Sequence, residues 1–323
     1  MRWFHLLAKI ALLAGAAAPA GAAAQAASAQ PAATPSTYVR PEAPGRLIAV
    51  DGARRLHILC KGDSDGPAVI FEAGLSQFTA NTTLSLAQDA IAPFARVCAY
   101  DRAGLGWSDP APEHWTQQGM IADLHRLLAA AGVRGPYILV AHSLGGPLAR
   151  AYARAHPAEV AGLVLVDTTT DRHAAELAQA RISVVAQLDA AIAASRPGTP
   201  VIGFPAGTPA ETMMAFTPEI LRGVKVEFLA LDSALPNLSA EMARGRLGAV
   251  PLLVVRRGKT AQPPSDEDRN HREGQEALLA LSSNSAMIVA EHSGHTIPLD
   301  EPQVVAAAVR RMLDAIRAGR PLS

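Results

Sequence analysis

From Leu47 onward, short apolar runs of 4 to 7 residues recur along the chain, with stretches of helical spacing between them. Leu47–Val50 and Arg54–Cys60 flank Asp51-Gly52, a dipeptide that favours a tight hairpin turn. Ala68–Glu72, Arg96–Tyr100, Tyr137–Ala141, Gly162–Val166, Pro251–Arg256 and Ala286–Ala290 are further strand-like runs. Gln117–Ala131 and Leu144–His156 carry a helical period. Continuously apolar strands leave no polar face for water, so their alternation with helices predicts a mostly parallel sheet covered on both sides. The expected fold class is α/β, with about eight strands and an antiparallel edge formed by the opening hairpin.

The rhythm breaks once. About 84 residues separate Val166 from Pro251. They hold helical stretches over His173–Ala194, Glu219–Ala234 and Ser239–Arg246, around a Pro/Gly-rich piece from Arg196 to Pro209. An insertion this long predicts a helical cap, over residues 168–250. Seated over the C-terminal ends of parallel strands, it would cover the place where such sheets bind ligands.

The first residues carry a different pattern. Arg2 precedes a short apolar stretch, Leu6 to Ala18, broken only by Lys9, and small residues follow to Ala24. This predicts a signal peptide over residues 1–24, a flexible Ala/Pro/Ser/Thr linker over 25–45, and a folded domain over 46–323. Export to the periplasm or beyond is the expectation, and an uncleaved anchor is the alternative. No other segment reads as a membrane span.

Composition narrows the field. Lys plus Arg and Asp plus Glu are each 29, giving a formal charge of zero, which excludes a general nucleic-acid binder. Loss of residues 1–24 removes Arg2 and Lys9 and leaves 27 − 29 = −2. Aromatics are only 4 % and alanines about a fifth, so Val, Leu, Ile and Ala must build the core. Two cysteines exclude a disulfide-dense mini-fold and a cysteine-only metal cage. No metal ligand set, phosphate-binding loop or dinucleotide fingerprint is present, so no cofactor and no metal is expected.

The chemistry concentrates in three places. Tyr137–Gly146 reads as a strand running into a helix, with Ser143 at the turn in Ala141-His-Ser-Leu-Gly145. This is a variant of the G-x-S-x-G nucleophile elbow, with Ala at the first small position, and it would aim the Leu144 N–H at the same point as the serine hydroxyl. By itself the pattern also suits any tight strand–helix turn. Val69–Ser76 is a strand ending in small residues, where the N–H of Leu75 would complete an oxyanion hole. Glu291–Pro298 follows the last strand and carries His292 and His295. His295, after Ser-Gly, is the better placed to take a proton from Ser143.

Together Ala-His-Ser-Leu-Gly-Gly, the C-terminal Ser-Gly-His and Tyr100-Asp-Arg-Ala-Gly-Leu-Gly-Trp-Ser108 resemble the α/β-hydrolase fold superfamily, in its capped, lipase-like branch. The resemblance runs from about Arg46 to the C-terminus. It implies a serine hydrolase with Ser143 as nucleophile, His295 as base, and the Leu75 and Leu144 amides as oxyanion hole. Two departures stand out. Glu72-Ala73-Gly74 replaces the usual His-Gly, and the usual Gly-x-x-Asp after the seventh strand is missing.

The acid is therefore open between two residues. Asp167 ends the sixth strand, 24 positions after Ser143, where some members place it. Asp266 lies on a loop eight residues after Gly258, with Asp268 beyond. Asp167 is preferred, because a rigid strand end holds a side chain better than a loop. Asp101 reads as structural, holding the Arg102 turn. In this fold the strands bearing Cys60 and Cys98 are antiparallel neighbours, so a disulfide and two buried thiols are both open readings. The expected activity is hydrolysis of a small-molecule carboxylic ester or related acyl substrate through an acyl-enzyme. Aminopeptidase-like amide hydrolysis, using cap acids such as Glu211, Glu219, Glu227 and Asp232, is one alternative. A non-catalytic binding protein on the same fold is the other. Oligomeric state is not legible.

Overall fold

The computed structural model describes residues 40–322, apart from 53, 80–83, 113, 198–200, 202–215, 245 and 246. The expected signal peptide, most of the linker, most of the Pro/Gly-rich piece and Glu211 lie outside the described residues.

Eight strands form one sheet: β1 (Arg46–Asp51), β2 (Arg54–Lys61), β3 (Val69–Glu72), β4 (Val97–Tyr100), β5 (Tyr137–His142), β6 (Val160–Val166), β7 (Leu252–Arg257) and β8 (Ser285–Ala290). Their order is β1-β2-β4-β3-β5-β6-β7-β8. The β1–β2 and β2–β4 pairs are antiparallel and the others parallel. Strands β3 to β6 are apolar along almost their whole length because both faces are covered. Ile70, Leu139 and Leu163 point into one core cluster, while Val69, Phe71, Ile138 and Val164 point into the other. Cys60 and Cys98 stand directly opposite each other in the β2–β4 register and are joined as a disulfide.

The helices are α1 (Ser85–Ile91), α2 (Gln117–Ala130), α3 (Gly145–Ala155), α4 (Ala174–Ala194), α5 (Pro218–Arg244), α6 (Asp266–Ala277), α7 (Ile297–Asp300) and α8 (Pro302–Ala318). Between β6 and β7, α4 and α5 pack on each other and on the loops that leave β3, β4 and β5. Val184, Leu188, Leu221, Val224 and Phe228 share a third apolar cluster with Leu75, Leu105, Trp107 and Leu144. The contact is close: a Cβ on Gly223 of α5 would stand 1.9 Å from the carbonyl oxygen of Gly104.

Two expectations need correction here. The helical stretches either side of Pro236 are one helix. Leu221, Val224, Phe228, Leu231, Leu235 and Leu238 are all buried at alternating spacings of 3 and 4. One apolar stripe therefore continues across the proline, and its burial outweighs the ~3 kcal/mol a proline costs inside a helix. Residues Asp171–Ala194, which include α4, are long and apolar enough by composition to cross a membrane, although the sequence suggested no span beyond the N-terminus. Their length comes from an alanine-rich helix whose Val184, Leu188 and Ala191 pack against α5 and whose Asp189 and Arg181 pair with Lys225 and Asp232.

Candidate active site

Ser143 occupies the turn between β5 and α3 with φ of +53°, in the left-handed region that non-glycine residues avoid. The crowding that imposes this turn is visible at the glycines after it. A Cβ on Gly145 would lie 2.2 Å from the carbonyl oxygen of Glu72, and one on Gly146 would lie 1.4 Å from Thr168 Oγ1. Helix and strand meet so closely that only glycine fits at either position. Ala141, where the elbow commonly has glycine, is accommodated inside the core at full burial.

The loop after β8 brings His295 to this turn. His295 Nε2 lies 3.1 Å from Ser143 Oγ, and its Nδ1 lies 2.8 Å from Asp167 Oδ2. Asp167 is buried at the end of β6 and also has a positive φ, +42°. Its carboxylate accepts from the Arg257 backbone N–H at 3.0 Å, from Arg257 Nη1 at 3.3 Å, and lies 2.8 Å from His271 Nε2. Burial opposes its charge, but the hydrogen bonds of His271 and then His295 hold it well below the usual carboxylate range. The last residue of β7 thus brings a guanidinium to the acid on β6, and α6 brings the His271 imidazole.

The other sequence candidates lie elsewhere. Asp266 begins α6 with its side chain 91 % exposed and pairs with Arg269. Asp268 caps the same helix through Ser265. His292 is exposed, its backbone held by Glu301.

The β3–α1 loop closes the other side. Gly74 is so near the serine that a Cβ there would stand 3.1 Å from Ser143 Cβ. Among the described residues, no hydrogen bond uses the N–H of Leu75 or of Leu144. Both therefore remain free to donate to an oxygen developing charge beside Ser143.

Several residues here were not singled out as site residues by the sequence. Arg102 is buried among Glu72, Glu227 and the carbonyls of Ala73 and Gly74. Burial works against the Arg102 charge, but Glu227 and Glu72 hold its proton more firmly than usual. Burial pushes the Glu72 carboxyl up, against the pull of Arg102 and the Tyr100 hydroxyl. Asp101 is structural as expected and holds the turn that starts at Arg102. Its carboxylate accepts from the backbone N–H groups of Thr79 and Trp107 and lies 2.9 Å from His57 Nδ1. His142 lies between Gln77 and the carbonyl of His295. His173 accepts from the Thr170 N–H and lies 3.5 Å from His271 Nδ1. Burial, with the nearby His271 and Arg257, pulls His173 down to about 4. An unusual acidic residue before the oxyanion turn, followed 30 positions later by an arginine leaving a strand, was a usable charge signal. His271, 104 positions from Asp167, had none.

Of the cap acids, Glu227 is occupied by Arg102 and the Ser76 N–H, and Asp232 by Arg181. The grouping of His125, His156 and Glu159, each with a donor atom within 4.8 Å of the others, lies at the far end of α3, roughly 16 Å of helix from Ser143.

A family model for the alpha/beta hydrolase fold matches residues 68–195. The uncharacterized protein YqjL of Bacillus subtilis is 27 % identical over 268 residues, 82 % of this chain and 90 % of its own length. A thermophilic esterase from Thermogutta terrifontis is 23 % identical, with a TM-score of 0.59 over 84 % of this chain and 98 % of the other. A hydrolase from Pseudomonas aeruginosa PA01 is 21 % identical, with a TM-score of 0.61 over 84 % and 99 %. At these identities the likeness to the solved structures is one of fold.

Proposed function

We propose, from the premise that the chain belongs to the α/β-hydrolase fold superfamily, that it is an exported serine hydrolase of a carboxylic ester or related acyl compound. The observation that carries this reading is the continuous line from Ser143 Oγ through His295 to a buried, ionised Asp167. Ser143 Oγ attacks the substrate carbonyl carbon while His295 Nε2 takes its proton. The carbonyl electron pair moves onto the oxygen, which the Leu75 and Leu144 N–H groups receive. Collapse expels the alcohol, protonated by His295, and leaves the acyl group on Ser143. Water, activated by the same imidazole, releases the acid and restores the serine. Asp167 holds the His295 Nδ1–H tautomer and balances the imidazolium as it forms.

Ester chemistry is favoured over aminopeptidase chemistry because Glu227 and Asp232 already have partners in the protein. A non-catalytic binding protein would have no use for a strained serine backed by an ionised acid. Export to an oxidising compartment is supported by the N-terminal pattern and by the Cys60–Cys98 disulfide. The test uses the chain from Gln25, a fluorophosphonate probe and a short-chain nitrophenyl ester, beside Ser143→Ala. Labelling and turnover are expected in the wild type and absent in the variant. A folded wild type that takes no label and turns over no ester overturns the reading.

A further inference from the structure

We propose that Glu227, on helix α5, is a positioning residue for the Leu75 amide: with Arg102 it locks the peptide plane that carries this oxyanion donor. The inference rests on the serine-hydrolase reading above and adds where one of its donors gets its aim.

Three consecutive peptide groups make the turn. In the first, the Ala73 carbonyl accepts from Arg102 Nη1 at 2.7 Å and the Gly74 N–H donates to Gln77 Oε1 at 2.8 Å. In the second, the Gly74 carbonyl accepts from Arg102 Nη2 at 2.6 Å and from the Gln77 backbone N–H at 3.2 Å. In the third, the Ser76 N–H donates to Glu227 Oε2 at 2.7 Å. Two polar ends of the run are left, the carbonyl and the N–H of Leu75, and the N–H belongs to the second group. In a trans peptide the N–H points away from the carbonyl of the same plane. The guanidinium on the Gly74 oxygen therefore fixes the direction of the Leu75 N–H, away from Arg102. A positive charge at that oxygen also draws electron density from the amide and strengthens its N–H as a donor.

Arg102 is in turn held from two sides. Glu72 Oε1 lies 2.9 Å from Nη1, and Glu227 Oε1 lies 2.5 Å from Nε. Arg102, Glu72 and Glu227 are all buried, so none of these charges has water to fall back on. Glu72 and Arg102 come from the sheet, at the ends of β3 and β4. Glu227 alone comes from the helix pair above it. One carboxylate thus grips the turn on both sides of Leu75: directly at Ser76, and through Arg102 at Gly74. Docking of α5 and completion of the oxyanion hole become one event. This explains why Glu227, an acid in the middle of an apolar helix stripe beside Val224, Phe228 and Leu231, is not an apolar residue.

The test compares Glu227→Gln and Glu227→Ala with the wild-type chain. Rates are normalised to the number of serines labelled at completion by a fluorophosphonate, so that only folded sites count. Loss of a whole oxyanion donor costs about 10²–10³ in kcat, so a misaimed one is expected to cost about 10- to 100-fold. The order wild type, Gln, Ala is expected, because Gln keeps an oxygen for the Ser76 N–H. KM for the nitrophenyl ester should stay within about twofold, while affinity for an alkyl boronic acid, a mimic of the tetrahedral intermediate, should fall in step with kcat. Unchanged kcat per labelled site in both variants overturns the inference and leaves the serine-hydrolase reading standing. So does a loss explained wholly by fewer labelled sites. A wild type that takes no label overturns both.

Discussion

Converting Asp167 to Asn is the sharpest perturbation of the proposed relay, because the surroundings dictate which way the new amide must face. The carboxylate's Oδ1 lies 3.0 Å from the Arg257 backbone N–H, a donor that cannot change its character. Asn must therefore place its carbonyl oxygen there, and its NH₂ then occupies the Oδ2 position, 2.8 Å from His295 Nδ1. An NH₂ group can only donate, so His295 is forced to accept at Nδ1 and to carry its proton on Nε2. That nitrogen, 3.1 Å from Ser143 Oγ, can no longer take the serine proton. The wrong tautomer of a catalytic imidazole costs about 10⁴ in kcat, or ~5 kcal/mol in the barrier. The NH₂ also confronts Arg257 Nη1, previously 3.3 Å from a carboxylate oxygen, so some loss of stability accompanies the loss of rate. Turnover of a nitrophenyl ester at neutral pH, with folding checked by circular dichroism, measures the effect. Asp266→Asn serves as the comparison, with its exposed side chain expected to leave kcat within about twofold. An Asp167→Asn variant that keeps more than a tenth of wild-type activity, or an Asp266→Asn variant that loses as much, would refute the assignment.

Three further outcomes are expected. His173 titrates near 4 in the folded chain, below its ordinary 6.5, so the unfolded state takes up the proton first as pH falls. Stability should accordingly drop between pH ~6.5 and ~4, by up to ~3 kcal/mol, and His173→Gln should flatten urea midpoints measured across that range. The Cys60–Cys98 disulfide closes a separation of 38 residues, for which chain entropy gives up to ~4 kcal/mol, so a Cys60→Ser/Cys98→Ser variant should melt well below wild type. Equal melting temperatures would show that the unfolded chain is already compact. Gly146→Ala drives a methyl into Thr168, whose hydroxyl donates to the Ser143 carbonyl, and should cost at least ~1–3 kcal/mol together with most of the turnover. A variant that melts and turns over like wild type would mean that the elbow can open.

The features legible in the sequence were those written in consecutive residues. Runs of apolar residues marked β3 to β7, because a strand covered on both faces has no polar face to show, while the Asp51-Gly52 turn marked the partly exposed hairpin of β1 and β2. The Ala-His-Ser-Leu-Gly turn pointed to Ser143, and the residues on either side of Gly74 pointed to Leu75, because strained turns demand particular small residues. The choice between Asp167 and Asp266 was different in kind. Both acids are present, and only the packing of β6 against β7 puts one beside His295 and leaves the other in solvent. The single long helix across Pro236 was likewise undecidable locally, since proline's cost is a property of the helix while the compensating stripe is buried by α4 and the loops beneath.

Local pattern along the chain thus set the order of strands and helices and the chemistry available at each strand end. Tertiary structure alone decided which of those groups meet. Asp167 with His271 spans 104 positions, His295 with Ser143 spans 152, and Glu227 with Ser76 spans 151. Local propensity acts over a few residues, whereas a buried charge is tolerated only where a distant partner arrives to match it, so these pairings are fixed by how the layers pack and by nothing shorter-ranged.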